Sequence, residues 1–383
     1  MNRATLLLHG GRAKSVVGDP VVTPLTQSVT FHMPPGEDIE LTYSRHGNTP
    51  NTSVLHSRLA ALEGTEAALV LSSGMGATAC TMLALLRPGD HLVASTWLYG
   101  GTQKFLEQEL PAMGIEVTFI EPTETRAWRR AVKRNTRVLF LESPVNPTTR
   151  LVDLRPARMM AQEQGIALVV DSTFASPINW RPIEHGADVV IHSATKFLNG
   201  HHDVLAGVVC GSEAVIEEVR AKMATWGQAP DPFALWLFER GLKTLDVRVQ
   251  RQNQSALRIA QWAQAHPSIV AVHYPGLPSH PDHALAAATM QGFGGMLAIE
   301  VRGGGEAASR CIARLQFFAN AASLGGVDSL VCEPRFTSHR GQTPEQRAAI
   351  GIPDGFVRLS VGLEDADDLI LDLAHALEAL ALE

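Results

Sequence analysis

The chain is expected to fold as an α/β protein, with a large domain whose mostly parallel sheet lies between helices, a smaller C-terminal α+β domain and an N-terminal arm. From about residue 55, short apolar runs (AALVLSS, HLVAST, VTFIEP, RVLFLES, ALVVDS, DVVIHS) alternate with stretches of helical periodicity. That alternation builds parallel strands covered by helices on both faces. At 383 residues the chain exceeds what one hydrophobic core ordinarily serves, so two domains are expected. Each apolar run also ends on residues that hydrogen-bond or ionise, and in such sheets ligands gather beyond the carboxyl ends of the strands.

Residues 1–55 are rich in turn formers (GDP, MPPGED, HGNTPNT) and read as an extended arm lying on another surface, such as a neighbouring subunit. Residues 56–245 form the expected large domain and 246–383 the C-terminal one. Between them FALWLFERGLKTLDVRVQRQNQSALRIAQWAQAH reads as a long helix ending at the His266–Pro267 break. VAVHYP, GMLAIEV and FVRLSV then read as strands, with helices around 305–318 and 365–381.

A formal charge of −7 without a long basic run disfavours nucleic acid and anionic membrane surfaces as partners, leaving a small molecule. The start lacks the apolar core of a signal peptide and no run reaches membrane-spanning length, so a cytoplasmic protein is expected. Cys80, Cys210, Cys311 and Cys332 are scattered without paired spacing and read as reduced thiols in the core. His192, His201 and His202 lack a carboxylate or cysteine at ligand spacing, so no metal is expected.

In DVVIHSATKFLNGHHDV a strand ends at His192 and presents Lys196 after Ser193 and Thr195. A lone lysine at a strand end is ordinarily a surface residue. Here the two hydroxyls suit a phosphate fixed on the same ligand whose aldehyde the amine would bond. ALVVDSTFASP ends a strand at Asp171, where a carboxylate is costly unless paired; a pyridinium nitrogen would be a fitting partner, although a helix cap also explains an aspartate there. LVLSSGMGATACTMLALL runs a strand through Ser73, Gly74 and Met75 into a helix, whose free amides and glycines suit an anion. HLVASTWLYGGT places Tyr99 past a strand, for stacking, proton transfer or plain packing. RVLFLESPVNPTTR ends on Glu142, which could be only a paired buried acid, followed by Asn146, whose amide could meet a ring substituent.

In this order, SSGMGA, YGGT, ESPVNPT, DSTFASP and HSATKF, with YSRHGN, YPGLPSHPDH, SLGGVDSL and RLSVGLED, resemble the cysteine and methionine metabolism family of pyridoxal-phosphate enzymes. That family includes cystathionine γ-synthases, cystathionine lyases and methionine γ-lyases. The resemblance implies fold-type I architecture, pyridoxal 5'-phosphate as cofactor, an amino-acid substrate and a homotetramer of close dimers. It implies Lys196 as the Schiff-base lysine, Asp171 as partner of the pyridine nitrogen and Tyr99 as the stacking ring. Ser73, Gly74, Met75, Ser193 and Thr195 become phosphate ligands, joined by Tyr43 and Arg45 from a neighbouring subunit. Arg358 would grip the substrate carboxylate, assisted by Ser323 and Asn146.

Several positions depart from the family pattern. Ala322 precedes SLGG where synthases and many cystathionine γ-lyases carry Glu and methionine γ-lyases an apolar residue, and Gly101 follows Tyr-Gly where methionine γ-lyases typically carry cysteine. Asn48-Thr49-Pro50-Asn51 replaces NPTR, Asn199 and His201 stand where small residues are usual, and EPRFTSH puts Arg335 and Phe336 in a stretch of small side chains. Arg335 would read a distal carboxylate or pair with Glu333. With the acid at 322 missing, γ-elimination is expected. γ-Replacement and β-elimination remain alternatives within the family, and a catalytically silent cofactor-binding regulator or a histidine-metal hydrolase outside it.

Overall fold

The computed structural model describes residues 2–11 and 16–381. Residues 12–15 of the expected arm, the initial methionine and residues 382–383 lie outside them. Seven strands form the large sheet: β1 Ala67–Leu71, β2 His91–Ser95, β3 Glu116–Ile120, β4 Thr136–Glu142, β5 Ala167–Asp171, β6 Val189–Ser193 and β7 Gly207–Gly211, in the spatial order β1-β7-β6-β5-β4-β2-β3. β3, β2, β4, β5 and β6 run parallel, while β7 is antiparallel to both β6 and β1. The six apolar runs are thus strands. β7 is an addition: GVVCG has only three apolar residues between glycines and falls below the length at which periodicity speaks.

The central strands are buried on both faces, as parallel strands clad by helices must be. Leu139, Leu141, Val170 and Val190 pack with Trp128 and the helices on one side, whereas Val138, Phe140, Val169 and Ile191 pack with Leu106, Leu110 and Val219 on the other. A second sheet carries β8 Ile269–His273, β9 Met296–Val301, β10 Ala319–Asn320, β11 Leu330–Cys332 and β12 Phe356–Ser360 in the order β10-β11-β12-β9-β8. β10 and β11, of two and three residues, are too short to be read from sequence. The helices of this part span Gly304–Arg314 and Ala366–Ala381, with shorter ones at His283–Thr289 and Pro344–Ala349.

The long helix expected after WGQAPDP is two, Pro232–Leu242 and Leu245–Gln264, broken at Lys243–Thr244. Arg248 explains why the break is useful. Its buried guanidinium donates to Phe197 O (2.8 Å), Leu198 O (3.2 Å) and Gly241 O (3.0 Å), binding the break to the loop just after Lys196. One turn later Gln252 Nε2 donates to Gly326 O at 2.8 Å. The second helix therefore anchors both the Lys196 loop and the SLGG loop, which belong to different sheets.

The arm is less uniformly extended than expected. Residues Arg3–His9 form a short helix with Leu7 buried, and the helix expected near residue 55 already begins at Pro50. Asn48 and Asn51 tie the intervening chain down: Asn48 Oδ1 accepts from Tyr43 N (3.0 Å), and Asn51 accepts from Thr26 N (2.9 Å) while donating to Pro24 O (2.9 Å). The departure from NPTR is thus an anchor for the arm. Val16, Val17, Val21 and Val22 nevertheless remain exposed.

Arg58, on the Pro50–Glu63 helix, is fully buried and meets Glu239 at 3.2 Å; Glu239 also takes Thr23 Oγ1 at 2.8 Å and Lys243 Nζ at 3.0 Å. Removing the Glu239 carboxylate takes away the buried negative charge that both Arg58 and Lys243 meet. Glu239→Ala should lower the unfolding free energy by about 3–5 kcal/mol, read from urea unfolding curves. Glu163→Ala, which breaks the solvent-exposed pair with Arg129, should change it by no more than about 1 kcal/mol.

Candidate active site

A cavity of about 560 Å³ opens at the carboxyl ends of the large-sheet strands, where the second sheet's loops close over them. It gathers Ser73, Gly74, Met75, Tyr99, Asn146 and Asp171 with Ser193, Thr195, Lys196, Ser323 and Arg358. Of the sequence candidates only Tyr43 and Arg45 lie elsewhere, Arg45 donating to Ala224 O at 3.3 Å on the protein surface.

The strand register explains the gathering. Glu142 and Asp171 end β4 and β5 as direct neighbours, and β6 ends beside them on Ser193, from which a turn leads to Lys196. Thr173 joins these ends: its amide and hydroxyl both donate to Asp171 Oδ1 (2.9 and 2.6 Å), and its hydroxyl accepts from Ser193 N at 2.8 Å. Oδ2 is thereby left uncommitted among the described residues. Burial pushes the Asp171 carboxyl above its usual range, opposed by the Thr173 bonds and His192. A cationic ring nitrogen at Oδ2 would relieve that burial.

Ser73 caps the Gly74–Leu85 helix, its hydroxyl accepting from Gly76 N at 2.9 Å. A Cβ on Gly74 would stand 2.8 Å from both Cβ and Oγ of Ser193, so this helix start approaches β6 only as glycine. The free amides of the first turn and the Ser193 hydroxyl face a common space suited to a phosphate. The Thr195 hydroxyl is already engaged, donating to Ala206 O (3.3 Å) and accepting from Ala206 N (3.0 Å). It would have to leave Ala206 O to donate to a phosphate.

Lys196 Nζ donates to Ser323 Oγ at 2.9 Å. Burial, with Arg358 nearby, lowers its pKa to about 8. Arg358 is buried on β12, donating to Asn146 Oδ1 (2.9 Å) and Ser323 O (2.7 Å), while its Nε has no acceptor among the described residues. It pairs with no carboxylate there, so a ligand carboxylate would meet an unmatched buried cation. Ser323 takes its place with a positive φ of 90°.

Two positioning residues were not foreseen. Glu142, open to the bland reading of a buried acid, accepts from Tyr99 N at 2.6 Å and Asn146 N at 3.0 Å, one on each oxygen. It sets the loops that carry both candidates, and burial beside Asp171 raises its carboxyl well above the usual range. Its position at a strand end in ESPVNPT was the available signal. Thr173 offered only its place two residues after Asp171.

The departures also find their places. A Cβ at Gly101 would stand 2.5 Å from Tyr99 Cε1, so a cysteine there would displace the Tyr99 ring. Arg335 pairs with Glu333 at 2.7 Å and does not line the cavity, which decides between its two readings. His192 hydrogen-bonds Glu63 in the core, and His201 Nδ1 lies 2.8 Å from Asn199 O. Among the described residues no cluster suits a metal ion, and no helix is long and apolar enough to cross a membrane.

Comparison with known proteins agrees with this geometry. Residues 4–378 match the Cys/Met metabolism PLP-dependent enzyme family. The chain is 40% identical to L-methionine gamma-lyase of Pseudomonas putida, over 99% of this chain and 98% of that one. It is 39% identical to cystathionine beta-lyase of Coxiella burnetii, over 98% and 96%. The crystal structure of cystathionine gamma synthase from Xanthomonas oryzae pv. oryzae, in complex with aminoacrylate and cysteine, superposes with a TM-score of 0.95 at 35% identity, covering 100% of this chain and 99% of that one. With a strand-end lysine, an aspartate and a helix-start cradle converging in one cavity, and the match running through both sheets, the chain belongs to the Cys/Met metabolism family of enzymes that depend on pyridoxal phosphate.

Proposed function

We propose that the protein catalyses γ-elimination from a sulfur-containing amino acid, releasing a thiol, a 2-oxo acid and ammonia. The observation that carries this reading is Ala322, which lines the cavity beside Ser323 and leaves no acid there to hold the distal ammonium of a larger substrate. γ-Replacement on an activated homoserine is the rival outcome of the same site.

Bound pyridoxal phosphate supplies an electron-withdrawing ring that stabilises negative charge at the substrate Cα. Around it, Asp171 Oδ2 would keep a proton on the ring nitrogen. Ser73, Gly74, Met75 and Ser193, with Thr195 once released from Ala206, would hold the phosphate. Arg358 would take the substrate carboxylate, freeing Asn146 and the Ser323 carbonyl, and so orient the Cα hydrogen toward Lys196. With a pKa near 8 the Lys196 amine is neutral in a useful fraction of molecules and can accept that proton. Departure of a γ-sulfur also requires a proton to leave Cβ. Tyr99, half-exposed on the cavity wall, would carry that proton from Cβ to the departing sulfur, after which water releases the 2-oxo acid and ammonia.

We assign residues 56–245 to the cofactor-binding domain and 246–383 to the domain that closes over it. Tyr43 and Arg45 would complete the phosphate site of a second copy in a homotetramer of close dimers; their absence from their own cavity and the exposed valines of the arm support this. The four buried thiols suit the reducing cytoplasm.

A substrate panel with products identified by mass spectrometry tests the reading. 2-Oxobutanoate and ammonia from methionine or cystathionine are expected; pyruvate as the main product, or a new thioether when a thiol is supplied, would replace it with β-elimination or γ-replacement. Borohydride reduction followed by peptide mapping should place the cofactor adduct on Lys196, with none in Lys196→Ala. Because burial lowers the amine's pKa, covalent capture of cofactor by apoprotein should speed up with rising pH and level off above about 8, measured by stopped-flow absorbance, rather than near the ordinary lysine value of about 10.4. Arg358→Leu should raise KM by on the order of a hundredfold, measured in steady state alongside cofactor content.

A further inference from the structure

The loop after β11 brings Phe336, Thr337 and Ser338 to the cavity wall. Ser338 O lies where a Cβ on Gly100 would be only 2.9 Å away, so this loop abuts the Tyr99 turn of the opposite sheet. Phe336 is 59% exposed yet lines the cavity, which places its ring at the mouth.

The ring is held from behind. The Arg335 guanidinium lies 4.4 Å from its centroid, a cation–π distance. Arg335 Nε donates to Glu333 Oε2 at 2.7 Å, and Nη2 donates to Gly305 O at 2.8 Å and Ser309 Oγ at 2.9 Å. Ser309 Oγ in turn donates to the other Glu333 oxygen at 2.7 Å. The charge of Arg335 is thus neutralised within the protein, and what it presents to the cavity is a fixed aromatic ring.

The charged groups lining the cavity are Glu142, Asp171, Lys196 and Arg358, all buried or partly buried. Leu205, Ala322, Phe336 and Thr337 line it from solvent-exposed positions, with Ser338 half-buried beside them. Among this chain's own residues, a substituent extending from the buried groups toward these positions meets small, apolar or hydroxyl-bearing side chains that offer no counter-ion to a second carboxylate or ammonium.

We propose that Phe336, held by Arg335 and Glu333, is the specificity-determining residue for the distal end of the substrate, favouring a short uncharged thioether over one that ends in a second amino-acid group. This rests on the elimination reading above and names its substrate class. Phe336 touches the substituent, whereas Arg335 and Glu333 are positioning residues.

The test compares holoenzyme of wild type, Phe336→Leu, Phe336→Ala and the double variant Glu333→Gln/Arg335→Met. For each, the ratio of kcat/KM for methionine to that for cystathionine is measured, together with the ratio of the association constant for norleucine to that for cystathionine by calorimetry. Cofactor absorbance and thermal unfolding monitor the fold. The wild type should favour the short substrate in both ratios. Phe336→Ala should lower both by on the order of tenfold, Phe336→Leu by less, and the double variant should move them the same way although it alters no cavity-lining residue. Ratios unchanged in a folded Phe336→Leu or Phe336→Ala overturn the assignment and leave elimination standing. A wild type that eliminates from neither substrate overturns the proposed function instead, and the binding ratios alone then decide for or against Phe336.

Discussion

Glu142, Asp171, Lys196 and Arg358 are ionisable groups withdrawn from water into one cavity, and burial is the largest influence on the protonation of each. A buried charge is tolerated only where hydrogen bonds or an opposite charge compensate it. The site meets that constraint in two ways. Glu142 uses both oxygens on backbone amides, so its compensation is permanent and its role is to shape loops. Asp171 and Arg358 are compensated only in part, each keeping an atom, Oδ2 or Nε, without a partner among the described residues. Those atoms are the places where a cationic ring and an anionic carboxylate would complete the balance.

Holding these groups together demands that two sheets be registered against each other. Asp171 and Lys196 follow strands of the first sheet, while Ser323 and Arg358 belong to the second. Arg248 and Gln252 span the seam from a single helix, one gripping carbonyls just after Lys196 and the other the carbonyl of Gly326. The hydrogen bond from Lys196 to Ser323 crosses the same seam. Any shift between the sheets would change the environment of the amine before it changed the core, because the amine is where both sheets meet.

Relatives of nearly equal identity carry different reactions in their names, a γ-lyase and a β-lyase among them. Shared architecture therefore places cofactor chemistry, and the periphery selects the outcome. In this chain the periphery is unusual in a consistent direction: Ala322 and Gly101 remove side chains around Tyr99 and Ser323, while Phe336 adds an aromatic wall at the mouth. Arg335, the one charge introduced there, is neutralised by Glu333.

Hydrophobic periodicity and strand-end chemistry were enough to read the six strands that the sequence marks and the residues at their carboxyl ends, because both signals are local and repeat along the chain. Lys196, Asp171, Tyr99 and Asn146 stood out for the same reason, as polar residues at or just beyond the ends of apolar runs, whereas Arg358 lies in the middle of β12 and was marked only by the family resemblance of RLSVGLED. What stayed hidden depends on partners distant in sequence. β7 exists only by pairing between β6 and β1, the helix break at Lys243–Thr244 only because Arg248 must reach the Lys196 loop, and the anchoring role of Asn51 only because the arm folds back on it. Glu142 looked like any buried acid until both oxygens were found on amides. Whether Arg335 faces a substrate or a neighbour could not follow from EPRFTSH, since Gly305 and Ser309, which hold it, lie on another helix; only the folded chain brings them within hydrogen-bonding reach.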